Sequence, residues 1–580
     1  MKRQLIQREH PNTEGLEKLH PLLARLYAAR GVTSCSEVEY GLGNLQDVWQ
    51  LSGIRQAAEQ LLVALQADHS IVIIGDFDAD GATSTALALR GLRAMGFRKL
   101  DYLIPNRFDF GYGLSPEIVD VAARSKPDLI ITVDNGIASL EGVARARQHD
   151  IDVIITDHHL PGKQLPDALA IVNPNQPGDE FPSKSLAGVG VMFYLLIALR
   201  KVLHDADWFT HNKLPEPNLA QYLDLVALGT VADVVPLDHN NRILVEQGLR
   251  RIRAGKACPG ILALLKVAGK NPALARATDM GFIVGPRLNA AGRLEDMAFG
   301  IECLLTDDPH QAERYARDLD SLNRERREIE ADMQAQALSL CNQISLQEDA
   351  LPWGLALHQD GWHQGVVGLV ASRIKERYHR PVIAFADAGD ETLKGSARSI
   401  PGLHMRDALE RVHSQHPGMI EKFGGHAMAA GLSMKKQHLP AFQQAFDDAV
   451  RAMLPEDKLN PVIISDGDLS DDDLSMETAS LLQTCGPWGQ TFPEPVFDGR
   501  FQIRERRVLK EKHLKFTLQP VGGNTSVEAI VFNIDPDTWP AAGQPIHLAY
   551  TLDINRFRGA ESLQLIIADQ FDISTAKSAS

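Results

Sequence analysis

Short apolar runs separated by helix-length stretches constrain this chain more than anything else in it. Residues 71–74, 100–104, 129–133, 153–156 and 168–172 are strand-length and nearly free of polar interruption. Between them, 82–95, 116–123 and 138–148 carry helical spacing. A strand with no polar face must be buried on both sides. Alternation with helices then predicts an α/β fold in which helices cover both faces of a parallel sheet.

Further along, 186–203 and 220–228 read as helices. The stretch 308–346, with Ala312, Tyr315, Leu319, Leu322, Ile329 and Met333 on one face, predicts a long connecting helix whose other face is solvated. A smaller αβ region follows, with strands at 354–357 and 382–385 around a helix at 366–378. Pro455 and the acidic tract 466–473 mark a linker. Beyond it, short β-rich runs predict a C-terminal barrel of OB type. The expected division is an N-terminal arm (1–50), a parallel-sheet domain (51–250), a helical connector (251–348), the smaller αβ domain (349–454), the barrel (462–570) and a tail (571–580). At about 150 residues per domain, 580 residues accommodate three to four cores.

The ends of the predicted strands carry the chemistry. The first runs into Asp76-Phe77-Asp78-Ala79-Asp80-Gly81, the third into Asp134-Asn135-Gly136 and the fourth into Asp157-His158-His159; Asp233 closes Gly229-Thr230-Val231-Ala232-Asp233. Clustered carboxylates repel one another unless cations neutralise them. In an open α/β sheet the carboxyl ends of the strands share one crevice, so residues far apart in sequence converge there. Aspartates are hard oxygen donors and imidazole suits borderline metals. The mixed set therefore fits Mn²⁺, with Mg²⁺ as the alternative. Several carboxylates able to bridge point to two ions, an arrangement suited to phosphoryl chemistry.

Each piece alone has a plainer reading, since an aspartate after a strand is usually a turn former or helix cap. Four such positions in one sheet weigh against that explanation for all of them. An EF-hand loop opens with the same Asp-x-Asp-x-Asp-Gly, but it needs a preceding helix and a glutamate at its twelfth position, where this chain has Leu87. An aspartyl nucleophile would leave Asp157-His158-His159 without a role.

Taken together, these motifs resemble the DHH phosphoesterase superfamily, in its branch of single-strand-specific 5′→3′ DNA exonucleases. The resemblance runs from about residue 50 to 570. Gly424-Gly425-His426 resembles the signature of the associated DHHA1 domain. Residues 285–293 (Gly-Pro-Arg-Leu-Asn-Ala-Ala-Gly-Arg) and 361–368 (Gly-Trp-His-Gln-Gly-Val-Val-Gly) resemble the exonuclease branch. The resemblance implies a DHH domain joined by a long helix to a DHHA1 domain, with the OB-like barrel at the end. It makes Asp78 and Asp80 metal ligands, Asp134 a bridge between two ions, and His158 and Asp233 the completion of the second shell. His159 would stand beside the scissile phosphate, so that His159, Asp80 and Asp134 form the catalytic core. One departure stands out. Many DHH enzymes carry a histidine four residues before the first aspartate of their Asp-x-Asp, and here that position is Ile74; Asp76 is the candidate replacement.

Substrate grip, on the same resemblance, falls to Arg287, Asn289 and Arg293, to Ser396 and Arg398 as a pocket for a 5′-phosphate, and to Gly424, Gly425 and His426, whose backbone N–H groups would form an anion nest. Arg107 and Tyr112, with Phe108 between them, mix cation and ring as a base-stacking surface would. In the barrel, Arg504, Arg506, Arg507, Lys510, Lys512 and Lys515, with Phe501 and Phe516, make a basic patch. That patch matters because the net charge of −16 argues against a simple electrostatic nucleic-acid binder.

The function expected is metal-dependent hydrolysis of single-stranded DNA from the 5′ end, releasing 5′-mononucleotides in recombination and repair. Its partners would be single-stranded DNA, a single-strand-binding protein and a helicase. A DHH phosphoesterase acting on short oligonucleotides or cyclic dinucleotides is the alternative, and a non-enzymatic scaffold is disfavoured by the intact acids. Five scattered cysteines without a CxxC pair suit a reducing compartment. No signal-peptide apolar region follows Met1, and the longest apolar run, 189–199, is too short for a membrane span; the expectation is a cytoplasmic protein.

Overall fold

The first strand, β1 (Gln4–Gln7), has no partner near it in sequence: it pairs in parallel with residues 462–465. The computed structural model describes residues 3–9, 12–106, 113–347, 351–557 and 559–572. It divides into two compact units that do not follow chain order. One holds residues 10–323 and 481–494, and the other holds 1–9, 324–480 and 495–580.

The 10–323 unit opens with helix α1 (Pro21–Ala28) and is built on a five-stranded sheet. Its strands are β2 (Ile71–Ile74), β3 (Leu100–Leu103), β4 (Leu129–Val133), β5 (Asp152–Thr156) and β6 (Ala170–Val172), ordered β3-β2-β4-β5-β6 with every pairing parallel. All residues of β2 and β4 are buried, as continuous apolar runs require. The strand order reverses between β2 and β4, and at such a switch point the adjacent connections leave in opposite directions and open a crevice. Helix α2 (Ala79–Ala94) leaves from β2 directly. Helices α3 (Gly188–Asp205) and α4 (Leu223–Ala232) pack against it and are buried along most of their length. Helices α5 (His239–Arg253) and α6 (Gly285–Leu294) follow, the latter entered through a π-helical turn at Met280–Val284.

Helix α7 (Pro309–Gln347), the long helix expected at 308–346, leads to the second αβ sheet. Its strands are β7 (Leu355–His358), β8 (Val382–Asp387), β9 (Thr392–Arg398), β10 (Lys422–Gly425) and β11 (Ala429–Lys435), in the order β10-β11-β9-β8-β7; only the β7–β8 pairing is parallel. Helix α8 (Val367–Tyr378) covers β8 and β9. Strand β12 (Val462–Ser465) takes β1 as its neighbour. Then β13 (Phe497–Leu509), β14 (His513–Pro520), β15 (Val527–Phe532), β16 (Pro545–Phe557) and β17 (Ala560–Phe571) close into a five-stranded barrel, ordered β13-β14-β15-β17-β16, as the OB reading expects. Closure removes the exposed edges that short antiparallel strands would otherwise present. Phe501 and Phe516 are each 1% exposed, so the rings assigned to a strand-binding patch are barrel core.

Candidate metal centre and substrate surfaces

After β2 the chain turns sharply. Gly75 lies so close to α2 that a Cβ there would meet the Thr85 hydroxyl at 2.2 Å. Asp78 then caps α2, its Oδ1 accepting from the Asp80 and Gly81 N–H groups at 2.9 and 3.1 Å. Asp80, one residue into the helix, accepts from the backbone N–H groups of Gly188 (2.6 Å) and Val189 (3.0 Å) at the start of α3. An anionic carboxylate is favoured at a helix N-terminus, so α3 fixes this side chain in orientation. Gly188 is required by crowding: a Cβ there would sit 2.5 Å from the Asp134 Cβ.

Asp134 follows β4 with φ of +63°, a conformation aspartate tolerates better than most residues. After β5, the buried Asp157 carboxylate organises the next turn. Its Oδ1 accepts from the His158 and His159 N–H groups and lies 2.7 Å from His159 Nδ1, while Oδ2 accepts from Ile137 N–H. Asn173 and Asn175 hold the His159 and His158 carbonyls from the other side. Asp233 caps the end of α4.

The ligand atoms of these residues form three overlapping groups, each within 4.8 Å: Asp76, Asp78 and Asp134; Asp80, His158 and Asp233; Asp134, His158 and His159. His158 Nε2 lies 3.1 Å from Asp134 Oδ1 and 3.5 Å from Asp233 Oδ2, which places this imidazole at the junction. Asp78 and Asp80, expected side by side as one motif, thus point into different groups. Asp76 stands with Asp78 and Asp134, while Ile74 is fully buried among apolar side chains.

Electrostatics show what this packing costs. Burial, then the Asp78 charge, push Asp80 up to about 7. Asp134 and Asp233 are raised well above the carboxylate range by burial and then by Asp80 and Asp78. His159 moves the other way from what burial alone would give, up to about 9, because Asp157 hydrogen-bonds it and Asp157, Asp76 and Asp78 surround it with negative charge. The same contact outweighs burial at Asp157 and lowers it. An ionised Asp157 takes the Nδ1 proton of His159 as its hydrogen bond, leaving Nε2 for other work. Buried carboxylates in mutual repulsion, interleaved with an imidazole, are a donor set that divalent cations of the Mn²⁺ and Mg²⁺ kind fit.

Residues expected to grip substrate divide. Arg287 is buried; its guanidinium lies 2.8 and 3.0 Å from Asp320 and donates to the Ile283 carbonyl, which makes it one half of a buried ion pair. Breaking such a buried pair costs about 3–5 kcal/mol because it strands a charge. Asn289 accepts from Ala79 N–H at 2.7 Å, which braces the Asp76–Asp80 loop, and Gly292 allows Phe77 to approach where a Cβ would lie 2.0 Å from its carbonyl. Arg293 sits half-buried in the last turn of α6.

In the second sheet, Arg398 donates to the Ser396 hydroxyl at 3.1 Å beside the first turn of α8, where a Cβ on Gly368 would meet both side chains under 3 Å. Desolvation lowers the Arg398 pKa. Gly424 and Gly425 belong to β10 and pair with Gly431 and Ala430, a strand in place of the expected nest. Nothing lies within 4 Å of a Cβ built on Gly424. Gly431, which the sequence reading missed, extends this bare strip to Ser396, its cross-strand partner. His426 is exposed in the turn after β10. Arg107 and Tyr112 lie outside the described residues. Also missed were Gly188, the α3 N–H groups and the anchoring by Asp157. Gly-Val-Gly at 188–190, opening an apolar helix, was the signal available.

Known proteins resemble this chain over almost its whole length. Residues 70–230 match the DHH family N-terminal domain, 351–452 the DHHA1 domain and 465–569 the RecJ OB domain. A single-stranded-DNA-specific exonuclease RecJ of Salmonella typhimurium is 57% identical over 569 residues, covering 98% of this chain and 99% of the relative. The Escherichia coli RecJ is 56% identical over 566 residues, 97% and 98% of the two chains. The crystal structure of RecJ in complex with Mn²⁺ from Thermus thermophilus superposes with a TM-score of 0.80 at 30% identity, over 98% of this chain and 80% of that one. With likeness of this extent reaching through all three domains, the chain belongs to the RecJ family of the DHH phosphoesterases.

Proposed function

We propose that this protein is a metal-dependent exonuclease that hydrolyses single-stranded DNA in the 5′→3′ direction and releases 5′-mononucleotides. The observation that carries the reading is the trio of overlapping ligand groups meeting at Asp134 and His158. Asp76, Asp78 and Asp134 would hold one divalent ion, and Asp80, His158 and Asp233 the other. The chemistry that two such ions supply when bound is activation of water and neutralisation of charge on the phosphate. The chain's own groups do the rest. The α3 N–H groups hold Asp80, and the Asp157 carboxylate accepts from Nδ1–H of His159, which favours the protonated ring. His159 then stabilises the phosphate oxygens and gives a proton to the departing 3′ oxygen.

Ser396 and Arg398 take the 5′-terminal phosphate, and the Gly424–Gly431 strip lets a sugar-phosphate backbone lie against β10 and β11 with no side chain in the way. The polarity and the product follow from the resemblance to 5′→3′ enzymes of this family. A nuclease of single strands needs them exposed, which makes a helicase and a single-strand-binding protein its partners in recombination and repair. We place it in the cytoplasm; among the described residues no helix is long and apolar enough to cross a membrane.

Incubation with 5′-labelled single-stranded DNA and Mn²⁺, beside a dinucleotide control, tests the assignment. Mononucleotide release from the DNA is expected, with little turnover of the dinucleotide; the reverse preference would select a small-substrate phosphoesterase. Asp80→Ala should abolish hydrolysis and leave DNA binding intact. Retained hydrolysis would refute the metal assignment.

A further inference from the structure

Asp233 sits at the end of α4, and the backbone beyond it is strained. Val234 has φ of +61° and is 63% exposed, a left-handed conformation that a β-branched residue adopts only when its surroundings impose it. One constraint is α4 itself. The other arrives from far away in sequence. Leu237 N–H donates to the carbonyl of Gln490 at 2.8 Å, and Gly489 lies so close that a Cβ there would meet Leu237 Cδ1 at 2.6 Å. Gly489 and Phe492 close a tight hairpin through two mutual backbone hydrogen bonds.

The hairpin is anchored in turn. The Arg242 guanidinium lies 4.3 Å from the centre of the Phe492 ring and donates to the Leu237 carbonyl and to the Glu37 carbonyl. Phe492 stacks on Trp488 and on Tyr27 of α1, and Arg30 covers Trp488 while donating to the Pro493 carbonyl. Asn241 holds the Pro236 carbonyl. Both sides of Leu237 are therefore clamped, four residues from Asp233. The clamp comes from residues 481–494, which pack with the 10–323 unit although the chain on either side of them belongs to the other.

We propose that the Gly489–Phe492 hairpin is a positioning element for Asp233. It holds the 234–237 loop in its strained course, so that the Asp233 carboxylate stays beside His158 and Asp80. None of its residues belongs to the ligand groups around Asp134 and His158; Phe492 and Gly489 act through Leu237. The proposal rests on the two-ion reading above.

The test is Mn²⁺ binding to the full-length protein, followed by calorimetry and by the electron paramagnetic resonance signal of free Mn²⁺, for wild type, Phe492→Leu and Gly489→Ala. Ile118→Val, in the apolar core on β2 and β4, serves as a control for general loss of stability. The expected result is selective weakening of one of two Mn²⁺ sites by about tenfold, the lower end of what losing a supporting contact costs a metal site. Folding should remain native by circular dichroism, the Mn²⁺ concentration for half-maximal activity should rise, and kcat should recover at saturating Mn²⁺. If both folded variants bind Mn²⁺ as wild type does, or lose affinity no more selectively than the control, the hairpin is only structural and the inference fails. If Phe492→Leu does not fold, Gly489→Ala decides by the same criteria. If wild type itself binds no Mn²⁺, the two-ion reading falls and takes this one with it.

Discussion

Asp157 contributes to none of the three ligand groups, yet it holds both histidines of the turn after β5 in place. It accepts four hydrogen bonds, from the His158, His159 and Ile137 N–H groups and from the His159 ring. Asp157→Asn keeps the shape and removes the charge. The raised pKa of His159 comes first from that hydrogen bond and charge, against the downward push of burial, so the substitution should bring it down from about 9. In metal-free protein, a His159 titration followed by NMR should move down by about one unit or more. Activity at saturating Mn²⁺ should fall by about 10–100-fold, the usual range for a lost supporting contact. An unmoved titration would mean that Asp157 only shapes the turn.

Elements show which interactions a sequence can announce. Strands β2 and β4 were legible to the residue because burial on both faces leaves an unbroken apolar run, and the carboxylates at their ends marked the site. Strands β9, β10 and β11 were not, since Gly395, Gly424, Gly425 and Gly431 and the intervening lysines blur any alternation. Side chains such as Asp76, Asp134 and His158 declare their chemistry by type. The N–H groups of Gly188 and Val189 do not, nor does the inward turn of Arg287, because backbone donors and ion-pair partners are assigned only by packing.

The barrel offers a case where packing sets a pH dependence. Asp498 is buried on β13, which would raise it, but hydrogen bonds from His547, Ser465 and Gln7 prevail and hold it below the usual range. A depressed folded pKa gives stability that is present above the unfolded value of about 3.9 and lost as pH falls through the folded one. Asp498→Asn should therefore lower the thermal midpoint near neutral pH. Below about pH 4 the difference from wild type should shrink, as scanning calorimetry across that range would show.

For the molecule as a whole, the metal centre couples stability to pH in the opposite sense. Asp80, Asp134 and Asp233 are raised above their unfolded values, so their contribution to stability is intact below about pH 4 and is lost as pH rises through the folded pKa, which for Asp80 is about 7. Cations bind the ionised form and relieve the repulsion. Mn²⁺ should raise the thermal midpoint more at about pH 8 than at about pH 5.5, and chelation should reverse the gain. An equal gain at both values would show that these carboxylates are ionised without a cation. The net charge of −16 has part of its origin in this cluster, so the acidic total overstates how negative the surface is.

The pairing of β1 with β12 also dictates an order of events during synthesis. Gln4–Gln7 leaves the ribosome well before its neighbour Val462–Ser465, which is made some 455 residues later. At about 5–20 residues per second, the strand waits roughly 20–90 s for a partner. The 10–323 unit can gather its sheet in that interval, but its clamp on Leu237 arrives later still, with residues 489–492. A ribosome-bound chain thus carries every aspartate and histidine of the metal centre well before it carries the hairpin that we propose fixes Asp233 in place.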